Sequence, residues 1–335
     1  MWLVMKINRS AFAGTAAALW LVVPSIALAL DIDAVNEAEF GTRIEKLRNG
    51  IDPVMLKLQV LLDRARFSPG EIDGRAGENA RKAIAAFERA RNLPADGKLD
   101  AEMWAKLTET SSEPALIEYT IADDDVKGPF LTKLPSKMED MQNLDHLGYT
   151  SAIEGIGEKF HMSGKLLKIL NPGKTFDKAG ETIVVANVRS EPLHQKVTKI
   201  EIDKPKRLLR AFAKDGQLLA VYPASIGSKE KPAPTGTYKI TSIAQNPTYK
   251  YNPEYRFKGV KARSAFTIKS GPNNPVGSVW ISLSLKGYGI HGTPDPSKVS
   301  KTESHGCVRL TNWDAKSLAS IAQKGTTVAF LDKSP

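Results

Sequence analysis

The spacing of apolar positions predicts helices over the first half of the chain. Between residues 54 and 107 apolar side chains recur every three to four positions, as in helices that bury one face, and they include Leu56, Leu58, Leu61, Leu62, Ala83, Ile84 and Phe87. Two stretches that contain Gly, Pro and Asp, residues 67–74 and 96–97, interrupt this pattern as turns. We therefore expect a small bundle of three helices over residues 50–110.

A second, smaller unit is predicted over residues 148–188. The run from Ile153 to Phe160 has a helical pattern, and Ser163 is placed to cap a second helix that ends at Asn171-Pro172. Residues 182–186 are rich in β-branched side chains and predict a strand. With an opening strand near residue 149, this order is β-α-α-β. Residues 111–147 show no clear period, and we expect a linker or irregular segment there.

From residue 196 to 332 the chain predicts mostly strands. The segments 207–214 and 217–222 flank Asp215-Gly216, which is a strong hairpin signal. Further strands are expected near residues 236–243, 278–285, 287–291 and 326–330, with one helix over 312–323. The predicted architecture is a β-sandwich or open barrel with a peripheral helix. The fold class of the whole chain is therefore multidomain α+β.

The first 29 residues have the pattern of a secretory signal. Lys6 and Arg9 precede an apolar run, and the small residues Ala27 and Ala29 fit a cleavage site. The alternative is an uncleaved membrane anchor, because residues 11–30 are just long enough to span a bilayer. We expect export to the periplasm or cell envelope.

Composition narrows the classes of function. The 335 residues include 41% hydrophobic and 25% charged residues, which excludes a disordered chain and indicates a sizeable core. A net charge of +10 favours an anionic polymer or a membrane surface as partner. Nucleic acid is a poor candidate for the partner, because export would separate the protein from it. The sequence also has no basic run with interleaved aromatic residues. The single cysteine excludes disulfide scaffolds, multi-thiolate zinc sites and iron–sulfur clusters.

That cysteine lies in a sequence suited to nucleophilic catalysis, Ser304-His305-Gly306-Cys307-Val308-Arg309, and His291 precedes it by sixteen residues. A thiol becomes a strong nucleophile when a base takes its proton. Backbone N–H groups in a glycine turn can stabilise an oxyanion, and a guanidinium suits a carboxylate. The simpler alternative for Cys307 is an inert buried thiol.

The C-terminal region resembles the catalytic domain of the L,D-transpeptidases, also called the YkuD fold. The resemblance covers about residues 197–331 and rests on His291-Gly292-Thr293, on Ser304-His305-Gly306-Cys307-Val308-Arg309, and on the upstream stretches 234–238 and 271–277. It implies a cysteine acyl transfer on peptidoglycan tetrapeptide stems that releases D-Ala. It also implies that no metal or organic cofactor takes part.

The same resemblance implies a role for each site residue. Cys307 is the expected nucleophile, and His291 the expected proton acceptor and donor. The backbone of His305 and Gly306 is expected to form the oxyanion hole, and the carbonyl of Gly292 to orient His291. Substrate binding is expected at the remaining two positions of the motif, Ser304 and Arg309.

The two N-terminal modules resemble wall-binding domains. Residues 58–104 have the order of motifs of the three-helix peptidoglycan-binding domain, with Ile72-Asp73-Gly74 and Asp96-Gly97 among them. Residues 149–182 are similar to a LysM domain, which binds glycans that contain N-acetylglucosamine. The implied partner is peptidoglycan, both stem peptides and glycan strands.

The acceptor of the acyl group stays open. A diamino-acid side chain would give a 3→3 cross-link, a lysine of an outer-membrane lipoprotein would give protein attachment, and water would give L,D-carboxypeptidase action. A non-catalytic wall-binding protein is the second alternative.

Overall fold

The computed structural model describes residues 32–42, 50–188, 193–228, 231–255, 260–304 and 306–334. The predicted secretory signal over residues 1–29 lies outside the described residues. Within the described ranges, the helices are too short or too polar to cross a bilayer.

The first module is the predicted bundle of three helices: α1 (Pro53–Arg64), α2 (Glu78–Ala90) and α3 (Ala101–Thr108). The side chain of Asp52 accepts hydrogen bonds from the first turn of α1, and that of Asp100 accepts one from Met103 N at the start of α3. Such caps satisfy backbone N–H groups that have no partner within the helix. We refer to residues 53–108 as the helical module.

Two buried polar side chains hold the turns of this module. Gln59 accepts hydrogen bonds from the backbone N–H groups of Asp73 and Gly74, and its amide donates to the Asp73 carboxylate at 2.9 Å. Glu88 is 1% exposed and accepts from the N–H of Gly97 at 2.8 Å. Burial of these polar groups is tolerated because each one is hydrogen-bonded.

The second module, residues 116–186, contains the two predicted helices and the predicted closing strand, but its opening strand lies earlier than predicted and is followed by a short additional helix. It consists of β1 (Leu116–Thr120), the short helix α4 (Asp123–Val126), α5 (Ala152–Lys159), α6 (Gly164–Leu170) and β2 (Thr182–Ala186). Strand β1 pairs antiparallel with β2, with Thr120 opposite Thr182. We call this the βααβ module.

Two expectations are corrected by this pairing. The segment 111–147 is not simply a linker, because it contains β1, and no strand lies at residues 148–150. The reason is that β1 is only five residues long and has exposed alternate positions. Its sequence alone is therefore a weak signal for a strand, and pairing with β2 is what defines it. The chain between β1 and α5 is an insertion that contains the 3₁₀ helix Met138–Asn143.

The third module, residues 199–331, is mostly β. Its elements are β3 (Lys199–Asp203), β4 (Leu208–Phe212), β5 (Leu218–Pro223), β6 (Ser225–Ile226), β7 (Gly236–Gln245), β8 (Tyr249–Tyr251), β9 (Phe266–Ile268), β10 (Val279–Leu283), β11 (Gly289–His291), β12 (Val308–Arg309), α7 (Asn312–Ile321) and β13 (Thr327–Leu331). We call it the β module.

Nine of its strands form one continuous mixed sheet in the order β5-β4-β3-β13-β7-β10-β11-β12-β6. The predicted hairpin at Asp215-Gly216 is confirmed, because β4 and β5 flank it and pair antiparallel. Strands β8 and β9 form a separate two-stranded hairpin beside the sheet. Helix α7 packs against β10 and β11 and shares their buried core.

The modules share their hydrophobic cores. Leu208 and Val221 of the β module are buried in the same cluster as Phe67 and Phe87 of the helical module. The backbone N–H of Ser68 donates to the carbonyl of Val221 at 2.9 Å, which continues the contact between the two modules. Separating the modules would therefore expose apolar surface on both sides.

A buried polar cluster joins all three modules. His161 of the βααβ module lies 3.0 Å from the Asp63 carboxylate of the helical module, and its ring stacks on Trp313 of the β module at 5.2 Å. Asp314 accepts a hydrogen bond from Ser68 at 3.0 Å. Burial opposes the charge on His161, but Asp63 and neighbouring carboxylates raise its pKa. Burial, and to a lesser extent the negative charge of Asp63, raise the pKa of Asp314 to about 7.

We predict that the folded protein loses stability as pH rises from about 4 to 7 through Asp314. In the unfolded chain this group releases its proton near its ordinary pKa of 3.8, whereas the folded chain keeps the proton until about pH 7. Asp314→Asn cannot lose a proton, so its Tm should exceed that of the wild type at pH 8 but not at pH 4, and each kcal/mol corresponds to about 2–4 °C. Thermal unfolding at the two pH values measures this.

Ser317→Ala provides a control, because it removes a hydroxyl from the same helix without removing a titratable group. An equal change in Tm at pH 4 and pH 8 for Asp314→Asn would contradict the prediction.

Candidate active site

A short parallel strand pair brings the predicted nucleophile and base together. In the pairing of β11 with β12, Ile290 lies opposite Val308 and His291 lies opposite Arg309. Side chains alternate along a strand, so Cys307, just before β12, lies on the same face as Arg309 and His291. All three side chains line one cleft.

This cleft has a volume of about 530 Å³, and its lining residues are of two chemically different kinds. Cationic groups from Lys231, Lys250 and Arg309 line it together with Cys307 and His291. The other lining residues are mainly apolar and include Met138, Tyr249, Pro275, Val276 and Trp280. No described residue that lines the cleft is acidic. Such a cleft suits an anionic molecule with an aliphatic part.

His291 is fixed as a neutral base. Its Nδ1 donates a hydrogen bond to the carbonyl of Gly292 at 2.6 Å, so the proton of the neutral ring is on Nδ1 and Nε2 can accept one. The ring is 5% exposed and stacks on Trp280, with 5.5 Å between the ring centres. Burial, and to a lesser extent the charge of Arg309, lower the pKa of His291 to about 3. The imidazole is therefore uncharged at neutral pH.

Cys307 is a neutral thiol at neutral pH. Burial raises its pKa, although the N–H of Gly289 and the charges of Lys231 and Arg309 favour the thiolate. Its Sγ lies 3.8 Å from the carbonyl oxygen of Gly287 and can donate a weak hydrogen bond to it. The resting pair is therefore a thiol with a neutral imidazole.

The backbone next to Cys307 adopts a conformation that favours glycine. Gly306 has φ +98°, and a Cβ there would lie 3.1 Å from the ring of Tyr288. A glycine turn beside the thiol is the kind of backbone that can present N–H groups to an oxyanion. His305, the other residue predicted to form the oxyanion hole, lies outside the described residues.

Ser304 stabilises this turn through hydrogen bonds. Its hydroxyl accepts a hydrogen bond from Gly227 N at 2.7 Å and donates one to the carbonyl of Cys307. Its own N–H donates to the carbonyl of Gly227 at 3.0 Å. Ser304 is 2% exposed and does not line the cleft. In place of the expected substrate contact, the structure gives Ser304 a positioning role.

Asn312, at the start of α7, fixes the backbone around His291. Its side-chain oxygen accepts from Ser278 N at 3.1 Å, and a Cβ at Gly292 would lie 2.2 Å from that oxygen. Its amide donates to Glu158 of the βααβ module at 2.6 Å. Only a residue without a side chain fits at position 292, so the segment after His291 is held close to α7.

Comparisons with known proteins identify the family of the β module. Residues 198–329 match the family model of the L,D-transpeptidase catalytic domain. An L,D-transpeptidase of Bacillus licheniformis, YkuD, is 30% identical over 180 residues, which cover 53% of this chain and 92% of that protein. The chain belongs to the L,D-transpeptidase family.

Further similarities concern parts of the chain. Residues 52–107 of this L,D-transpeptidase match a peptidoglycan binding domain. The L,D-transpeptidase YbiS of Escherichia coli K12 is 29% identical over 195 residues, which are 56% of this chain and 62% of that protein. A solved L,D-transpeptidase 3 from Mycobacterium tuberculosis has a TM-score of 0.34 and 16% identity, over 46% of this chain and 76% of that chain. The predicted resemblances are confirmed for the catalytic and the helical modules.

Most residues that line the cleft of this transpeptidase were not predicted from the sequence, and Trp280 and Met138 are among them. Trp280 contacts His291. A signal was present, because a hairpin turning at residues 284–288 places position 280 opposite position 291. Met138 comes from the insertion in the βααβ module, and the sequence around it held no signal for a site.

We predict that Cys307 of the transpeptidase reacts with iodoacetamide at a rate that rises steadily from pH 6 to pH 9. The raised pKa of its thiol keeps the thiolate fraction small over this range, and only the thiolate reacts. Because the chain has a single cysteine, the mass of the intact protein reports this reaction directly. A rate that is already constant between pH 5 and pH 8 would indicate a thiolate–imidazolium pair and contradict the assignment.

We predict that Ser304→Ala destabilises the transpeptidase and loosens the turn that carries Cys307. The change leaves the buried N–H of Gly227 and the carbonyl of Cys307 without this partner, at a cost of about 1–3 kcal/mol. Tm should fall, and iodoacetamide should alkylate Cys307 several-fold faster at pH 7 because the thiol gains contact with water.

Ser304→Thr keeps the hydroxyl and should restore the slow alkylation. Ser242→Ala, on the exposed face of the sheet, serves as the control. If Ser304→Ala alkylates at the wild-type rate, Ser304 does not position the thiol.

Proposed function

We propose that this protein is a cysteine-dependent transpeptidase that acts on tetrapeptide stems of peptidoglycan, releases D-Ala and transfers the remaining acyl group to an amine. The observation that carries this proposal is the placement of Cys307 and His291 in one cleft, with Nδ1 of His291 bound to the Gly292 carbonyl. That hydrogen bond leaves Nε2 as the base.

The first half-reaction forms a thioester. The Cys307 sulfur attacks the carbonyl carbon of the diamino acid at its L-centre, while His291 Nε2 takes the thiol proton. The carbonyl oxygen becomes an oxyanion, and backbone N–H groups of the turn through Gly306 and Cys307 stabilise it. When the peptide bond breaks, the leaving amine of D-Ala receives the proton from His291.

The second half-reaction transfers the acyl group. An acceptor amine attacks the thioester carbon, His291 takes the proton of that amine, and Cys307 leaves as a thiolate that regains this proton. A neutral imidazole suits both directions, because it accepts a proton in one step and returns it in the next. Trp280 prevents the ring from turning away between the two steps.

The charge of the cleft supports an anionic substrate. Arg309 is largely buried, and its Nε has no hydrogen-bond partner in the described structure. Guanidinium groups bind carboxylates through paired hydrogen bonds. A stem peptide that ends in D-Ala carries such a carboxylate, and Arg309 is the group that we assign to bind a carboxylate of the stem.

The accessory modules and the predicted secretory signal support a location in the cell envelope or periplasm. The helical module matches a domain that binds peptidoglycan, and we propose that the βααβ module is a LysM-like unit that contacts glycan strands. Either contact would raise the effective concentration of stem peptides at the cleft. The acceptor amine belongs to a diamino-acid side chain of a neighbouring stem or to a lysine of an outer-membrane lipoprotein.

The test compares the wild type with Cys307→Ala on purified disaccharide-tetrapeptides. Mass spectrometry should find loss of D-Ala, cross-linked dimers and an acyl adduct on the wild type. Removal of a nucleophile should lower the rate by on the order of 10³-fold or more. Unchanged thermal unfolding of Cys307→Ala would show that the variant is folded.

Loss of D-Ala without dimers would indicate a carboxypeptidase, unless an added lipoprotein peptide with a lysine forms the missing conjugate. If the wild type forms neither product nor adduct, the proposed activity is wrong, and a non-catalytic wall-binding protein is the remaining alternative.

A further inference from the structure

The insertion in the βααβ module reaches the catalytic cleft. Met138 is the first residue of its 3₁₀ helix and lines the same cleft as Cys307. Every other described residue that lines this cleft lies between positions 231 and 309, within the β module. The insertion therefore contributes one side chain to the site from a different module.

Backbone hydrogen bonds fix the insertion to the β module. The N–H of Leu147 donates to the carbonyl of Ser270, and the N–H of Asn273 donates to the carbonyl of Leu147, both at 2.9 Å. The side chain of Asn273 donates to the carbonyl of Gly148, also at 2.9 Å. A Cβ at Gly271, where φ is +143°, would lie 2.1 Å from the oxygen of Leu147. The approach of the two backbones thus depends on a glycine.

A separate apolar core lies under this contact. Leu131 and Leu147 of the insertion are buried with Tyr251, Phe266 and Ile268 of the β8–β9 hairpin. The 3₁₀ helix packs its two methionines, Met138 and Met141, against this cluster. The N–H of Lys261 also donates to the carboxylate of Glu139 at 2.8 Å. Met138 is therefore held in place at the edge of the cleft.

We propose that Met138 contacts substrate and determines specificity, by binding the aliphatic side chain of the diamino acid in the stem peptide. This inference rests on the proposed function. The methylene groups of the diamino acid are the longest apolar part of a stem, and a thioether adapts well to a flexible chain. Together with Tyr249, Val276 and Trp280, Met138 belongs to the apolar lining of the cleft, which also contains three cationic residues.

The βααβ module thus has a role in recognising the peptide, separate from any contact with glycan. A protein with this role needs the insertion to be docked on the β8–β9 hairpin before a stem can bind fully. The module and the β module form one substrate site, although their sequences are more than a hundred residues apart at Met138 and Cys307.

Two methionines in one short helix provide a matched comparison. Met138→Ala and Met141→Ala each remove a thioether that packs on the same cluster, but only Met138 lines the cleft. We expect Met138→Ala to raise KM for the disaccharide-tetrapeptide about five-fold with kcat little changed, because the contact is present in both ground and transition states. Met141→Ala should leave KM within two-fold of the wild type, and Met138→Leu should restore it.

Two further measurements separate binding from a general disturbance. Iodoacetamide should alkylate Cys307 at the wild-type rate in Met138→Ala, since this small reagent reacts with the thiol without needing a contact with Met138. A tetrapeptide whose diamino acid lacks two methylene groups should lose most of the difference between the wild type and Met138→Ala.

Failure of the inference can be distinguished from failure of the proposed function. If the wild type releases D-Ala but Met138→Ala and Met141→Ala have equal KM values, the inference is wrong and the proposed function stands. Altered alkylation of Cys307 in Met138→Ala, or an undiminished effect with the shortened tetrapeptide, would also overturn it. Absence of turnover by the wild type would overturn both.

Discussion

The site depends on the parallel pairing of two very short strands. Strand β12 is two residues long and has no stability of its own, yet its register opposite β11 decides which side chains meet in the cleft. The N–H of Leu310 continues this register by donating to the carbonyl of His291 at 2.9 Å. A shift of one residue would turn Cys307 to the opposite face of the sheet. Parallel neighbours need a connection that crosses back over the sheet, and here residues 292–307 supply it.

Contacts around this pair leave little freedom to change it. Antiparallel strands border it on both sides, since β10 pairs with β11 and β6 pairs with β12. Helix α7 fixes the backbone after His291 through Asn312, and the same side chain contacts Glu158 of the βααβ module. The accessory modules are therefore structural neighbours of the catalytic residues. They share a core and a buried polar cluster with the catalytic module, and a rigid arrangement of all three modules follows.

Much of this site could be predicted from sequence because its chemistry is local. The nucleophile, the glycine turn and the arginine lie within six consecutive residues, and His291 is joined to them by one loop. Contacts between residues that are far apart in the chain left no comparable pattern in the sequence. Strand β1 is recognisable only beside β2, sixty residues later, and Met138 enters the cleft through contacts that tertiary packing alone creates. We expected Ser304 to bind substrate because it belongs to the motif. Its burial and hydrogen bonds show that a residue of such a motif can instead stabilise the backbone.

The neutral state of Cys307 also affects how long the protein survives outside a reducing compartment. Peroxides and disulfides react with thiolates and hardly with thiols. A partly buried sulfur with a raised pKa is therefore slow to form sulfenic acid or a mixed disulfide, although it is the single cysteine of the chain. Delaying ionisation until a substrate carbonyl is in place protects the nucleophile from oxidants between turnovers. The same partial burial that raises the pKa of the thiol thus acts as chemical protection against oxidants.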